Sequence, residues 1–124
     1  MKIMLVGQKW LGAQVLGSLR KAAHELLAVA APSPEDRLWM AALQNAIPAV
    51  QVGKRLAAEH VPAGTELIVC AHAHCFISDA ARRAARLGAI GYHPSLLPLH
   101  RGRDAIEWAL RFRERITGGS VYWM

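Results

Sequence analysis

Apolar and polar positions along the chain fall into two alternating rhythms. Continuous apolar runs of strand length occur at "KIMLV", ending on Gly7, and at "ELLAVAA", stopped by Pro32 and Pro34. Two more are "LIVCAHA" and "AIGYH", and the shorter "AVQV" and "GGSVYWM" complete the set. Between these runs the period changes. Leu11, Val15, Leu16 and Leu19 recur at helical intervals, with basic residues closing the segment. Asp36 opens a helix through "RLWMAALQNA", and "SDAARRAARLG" predicts a helix capped by Ser78 and stopped at Gly88. Asp104 and Glu107 have capping-box spacing ahead of "AIEWALRF", which predicts a last helix with Asp104 as its cap.

Apolar strands separated by amphipathic helices require a sheet covered on both faces. The pattern predicts an α/β chain with a Rossmann-like, open wound, mainly parallel sheet and helices on both faces. Residues 1–124 read as one domain, with no repeat, linker or low-complexity segment. In such sheets ligands bind beyond the carboxyl ends of the strands, where Gly7, His72 and His93 fall. The sequence stops on the sixth run, "GGSVYWM", with no element after it to cover Val121, Tyr122, Trp123 and Met124. The expectation is a sheet truncated after its sixth strand, with an exposed edge through which copies self-associate.

Composition supports a packed core: 53% of residues are hydrophobic and 19% charged. The net charge of +6 favours anionic partners such as phosphates, polyglutamate tails or nucleic acid. The arginines are scattered over separate segments with no aromatic interleaving, so a dedicated nucleic-acid surface is not predicted. "MKIMLVG" is too short an apolar run for a signal peptide or a membrane span, which predicts a cytoplasmic protein without membrane contact. Cys70 and Cys75 are the only cysteines and do not make a disulfide framework.

The motifs sort by how well they fit a chemistry. "GQKWLG" after the first strand has Lys9 where a dinucleotide site needs its second glycine, so it reads as an ordinary strand-to-helix turn. "CAHAHC", residues 70–75, offers zinc-type ligands. With Cys70, His72 and His74 on one face of an extended strand, successive ligands would lie roughly 7 Å apart and could not converge on one ion. No metal site is therefore predicted. No nucleophile elbow and no P-loop is present. His93 precedes Pro94, which holds it in extended backbone as the chain leaves the sheet. A fixed imidazole there can act as an acid or base, or stabilise an oxyanion when protonated.

The stretch "GYHPSLLPLHRGRDAIEWAL", followed by "TGGSVYWM", resembles the folate-dependent formyltransferase family. That family includes transferases acting on methionyl-tRNA and hydrolase domains acting on 10-formyltetrahydrofolate. The matching positions are His93, Pro94, Ser95, Leu96, Leu97 and Pro98, then Arg101 and Gly102, then Trp108. "MKIMLVGQKWLG" and "AHCFIS" also resemble it, so the likeness runs along essentially the whole chain. The resemblance implies 10-formyltetrahydrofolate as formyl donor, no metal, and an amine (including that of a charged tRNA) or water as acceptor. It implies that His93 is the catalytic histidine. It puts the folate-binding wall at Ala71, His72, Ala73, Cys75 and Phe76, with Ser95, Leu96, Arg101 and Gly102 beside it. The family's asparagine, two residues before the histidine, is replaced by Gly91, as it is also missing from the hydrolase-domain members. Its aspartate would fall about half a dozen residues past Trp123, beyond Met124. The resemblance therefore implies the first part of a catalytic domain, inert or nearly so by itself. The alternative expectation is a non-catalytic module that binds folate or a partner subunit.

Overall fold

The computed structural model describes residues 1–124. Strand β1 (Lys2–Gly7) leads into helix α1 (Lys9–Lys21), and β2 (Glu25–Ala31) into α2 (Arg37–Gln44). Then come β3 (Ala49–Gln51), β4 (Arg55–Leu56), a short 3-10 turn (Ala58–His60), β5 (Leu67–Ala71) and β6 (Phe76–Ile77). Helix α3 (Asp79–Ala84), β7 (Ala89–His93), α4 (Ala105–Arg111) and β8 (Ser120–Trp123) complete the chain. The main sheet has six strands in the order β3-β2-β1-β5-β7-β8. All neighbours are parallel except β8, which runs antiparallel to β7. This is the mainly parallel, wound sheet that the apolar runs predict.

Each face of the sheet buries its own core, because alternate side chains of a strand point to opposite sides. On one face Leu5, Val29, Ala31 and Ala71 pack with Leu16 of α1 and with Leu38 and Ala42 of α2. On the other, Met4, Val6, Ala30, Ile68, Cys70 and Ala89 pack with Ala81 and Ala85, and with Leu56 and Ile77 of the small parallel pair β4–β6. A methyl group on Gly7 would run into the carbonyl oxygen of Ala71, so only glycine lets β1 and β5 close at this end.

Three predicted details differ. "LIVCAHA" is a strand only to Ala71; His72 takes φ 58°, in the left-handed region, and turns the chain away. His72 and His74 are therefore not on a strand, and the spacing argument used against a metal does not apply to them. The third helix is shorter than its pattern, ending at Ala84, because Ala85 is extended (φ −96°, ψ 135°) and drops into the core. Ser78 does cap it, accepting from the Ala81 backbone N–H, and Gly88 ends the segment at φ +83°. Asp104 does not cap α4: it has φ 61° and its side chain makes no capping bond.

Candidate active site

The carboxyl ends of β1, β5 and β7 open into one cleft of about 1490 Å³. It lies where the strand order reverses around β1, the expected position for a ligand in a wound sheet. One wall is the first turn, Gln8 to Leu11. That turn is pinned by Asp36, whose two carboxylate oxygens each accept from the Lys9 backbone N–H at 3.0 Å. The same carboxylate caps α2, accepting from Leu38 N at 2.8 Å.

His93 stands at the end of β7 on the cleft wall. Its Nε2 lies 2.7 Å from the carbonyl oxygen of His100. A carbonyl only accepts, so Nε2 carries the proton and Nδ1 is left for chemistry. His100 is itself held: its Nε2 donates to Glu114 Oε1 at 2.7 Å, and its ring stacks on Phe112. Glu114 thus fixes the residue whose carbonyl fixes His93. The loop between β7 and His100 is tied to β8 by hydroxyls. Ser95 Oγ donates to Leu99 O, Ser120 Oγ donates to Ser95 O, and Ser120 Oγ accepts from Leu97 N.

Of the residues singled out in the sequence, His72, Ala73, Cys75, His93 and Gly102 line this cleft. The other five do not. Ala71 is buried beneath its floor and Ser95 is buried in the loop network. Phe76 is exposed with Arg55 over its ring, Leu96 packs near Gly118, and Arg101 faces solvent. The structure adds residues the sequence did not single out for a site, among them Lys9, Trp10, Arg103 and Tyr122. The strand-end rule pointed to the first turn; nothing local in the sequence pointed to Tyr122.

The cleft lining carries positive charge from Lys9 and Arg103, and carboxylates from Asp104 and Glu107. Burial pushes the Cys70 thiol up to about 12, with the neighbouring Cys75 adding to the rise, and burial also raises Cys75. Both stay protonated at neutral pH and are poor nucleophiles and poor metal ligands. His74 Nε2 donates to Val52 O at 2.8 Å, which turns that nitrogen away from any ion. No three His, Cys, Asp or Glu side chains converge as a metal-binding group.

Residues 3–124 match the family described as Formyl transferase. The chain belongs to the formyl transferase family. This formyl transferase chain is 35% identical, over 136 aligned positions, to the cytosolic 10-formyltetrahydrofolate dehydrogenase of Homo sapiens, covering 99% of the chain and 15% of that protein. It is 31% identical over 139 positions to the methionyl-tRNA formyltransferase of Anaeromyxobacter dehalogenans, covering 100% of the chain and 44% of that protein. The chain therefore spans less than half the length of these relatives. In three dimensions it superposes on the phosphoribosylglycinamide formyltransferase of Bacillus halodurans with a TM-score of 0.80 at 18% identity, over 100% of the chain and 72% of that protein. The formyl transferase fold is thus the one that the wound sheet reproduces. No helix is long and apolar enough to cross a membrane.

Proposed function

We propose that the cleft binds 10-formyltetrahydrofolate and that His93 promotes transfer of its formyl group to an amine or to water. The observation that carries this reading is His93 itself, at a strand end on the cleft wall, with Nε2 committed to the His100 carbonyl. Residues 1–124 then make up a part of a formyltransferase catalytic domain, acting in the cytoplasm.

The chemistry follows from that geometry. The nucleophile adds to the formyl carbon, and the carbonyl π pair moves onto oxygen. Protonated His93 keeps its Nε2–H on the His100 carbonyl and offers Nδ1–H to that oxyanion. Collapse breaks the bond from the formyl carbon to N10, and N10 takes a proton. The nucleophile loses its own proton to a base, and the carboxylates on the cleft wall are Asp104 and Glu107. The pterin would lie against the turn after β5, around His72 to Cys75, which lines the cleft. Lys9 and Arg103 supply cations for the glutamate carboxylates of the folate tail. The acceptor can be an amine, including that of an aminoacyl-tRNA, as the name of the bacterial relative suggests.

The test pairs folate binding with formyl release. His93→Ala should lower tetrahydrofolate release about 10²-fold or more, the scale of a lost acid–base group, with folate affinity changed only a few-fold. Release that survives the substitution within a few-fold removes His93 from the chemistry. Folate binding without release in either protein is the outcome for a folate-binding module and for a catalytic part that is inert by itself.

A further inference from the structure

β7 and β8 pair so that Gly91 faces Tyr122 and His93 faces Ser120. Directly opposed residues project from the same face, and alternation puts residues 91, 93, 120 and 122 together on it. Gly91 has no side chain, and the Tyr122 ring uses the space. A methyl group at Gly91 would lie 2.9 Å from Tyr122 Cζ, 3.0 Å from its hydroxyl oxygen and 3.1 Å from Cε1. The phenol is therefore folded across the strand pair, with its oxygen 3.0 Å from where a Cβ of residue 91 would stand.

That position has chemical content. Residues two apart on a strand are separated by roughly 7 Å, so the Cβ positions of residues 91 and 93 stand about that far apart on one wall, with the phenol oxygen beside the first. Tyr122 and His93 both line the cleft. The serine hydroxyls nearby are spent on backbone carbonyls, whereas the Tyr122 hydroxyl has no partner in the chain. Tyr122 is 39% exposed, so its hydroxyl is not sealed into a core.

We infer that Tyr122 is a second substrate-contacting donor: its hydroxyl hydrogen-bonds the formyl oxygen beside His93, and Gly91 is small so that the phenol can reach. This rests on the formyl-folate reading above and names a residue for it. The phenol donates and keeps its proton, so transfer itself is unchanged in its atoms. What changes is the number of donors that meet the oxyanion, from one to two.

The experiment uses Tyr122→Phe, which keeps the ring over Gly91 and removes only the oxygen. The probe is 10-formyl-5,8-dideazafolate labelled with 13C in its formyl group, with binding followed by fluorescence and the formyl stretch by isotope-edited infrared difference spectra. In Tyr122→Phe the bound formyl stretch should move to higher wavenumber, and affinity should fall roughly three- to tenfold, as for one lost hydrogen bond. Gly91→Ala should produce the same spectral shift by pushing the phenol aside. An unshifted stretch in Tyr122→Phe, with probe bound as in the wild type, overturns the role of Tyr122 and leaves the folate reading standing. Failure of the wild type to bind the probe at all overturns both.

Discussion

Replacing Asp36 with alanine withdraws support from two helix starts at once. Its carboxylate accepts from Leu38 N at the start of α2 and from Lys9 N at the start of α1. Gln8, the residue before α1, offers no side-chain cap of its own, so Asp36 acts for both helices. An N-cap residue contributes typically about 1 kcal/mol. A charge-assisted bond to a second N–H adds about 1.5 kcal/mol at the low end of its range, the appropriate end for an exposed pair. The carboxylate also faces the positive ends of both helix dipoles. The expected loss for Asp36→Ala is therefore about 2–3 kcal/mol. With a urea m-value near 2 kcal/mol/M, the unfolding midpoint should fall by about 1–1.5 M. Asp36→Asn separates the contributions: asparagine caps as well as aspartate, so only the charge and one acceptor for Lys9 are lost, and less than half the effect should remain. Because the Lys9 turn is a wall of the cleft, folate affinity should weaken in Asp36→Ala even at temperatures where it stays folded. A loss under about 0.5 kcal/mol, the level of an ordinary surface change, would refute the double-cap reasoning.

Two further outcomes follow from other parts of the molecule. The folded Cys70 thiol titrates at about 12, whereas the unfolded thiol titrates near 9.0, so its stabilising effect is complete below the latter and is lost as pH rises through the former. At roughly 1.4 kcal/mol per pH unit, the wild type should lose about 2 kcal/mol more than Cys70→Ala between about pH 8.5 and pH 10.5 in urea titrations, and parallel curves would contradict the burial of this thiol. β8 is one edge of the sheet, with Val121 and Trp123 on it 70% and 67% exposed, so we expect copies of the chain to associate there. Val121→Lys should shift the mass measured by light scattering toward the monomer, and a clean monomer for the wild type at high concentration would dispose of the edge argument.

The sheet was legible because its strands are near-continuous apolar runs, which only burial on both faces explains. All six strands of the main sheet lie in runs visible in the sequence. β4 and β6 were not legible, since two residues each carry no period. The turn after β5 is hidden in the sequence because "AHA" continues the run of β5, and nothing in that run marks the left-handed backbone at His72. Asp104 had the spacing of a cap, but its own left-handed backbone carries the carboxylate away from the α4 N–H groups. His93 could be found from Pro94 and from its place at a strand end. Its support could not: the His100 carbonyl, Glu114 and the Tyr122 phenol reach the site by tertiary folding alone. Gly91 in the sequence is an absence, and only the fold shows which ring fills it.

β1 sits at the middle of the sheet, flanked by β2 on one side and β5 on the other. Those neighbours are made at different times on the ribosome. β2 is complete at Ala31, but β5 is complete only at Ala71. At ordinary elongation rates of about 5–20 residues per second, that gap lasts about 2–8 seconds. Once β1 and β2 have left the exit tunnel, the side of β1 that will pair with β5 presents unpaired backbone beside Met4 and Val6 until β5 follows. The chain is thus most vulnerable to wrong partners early in its synthesis, and slow translation of the codons between these strands prolongs that exposure without altering a single residue of the finished protein.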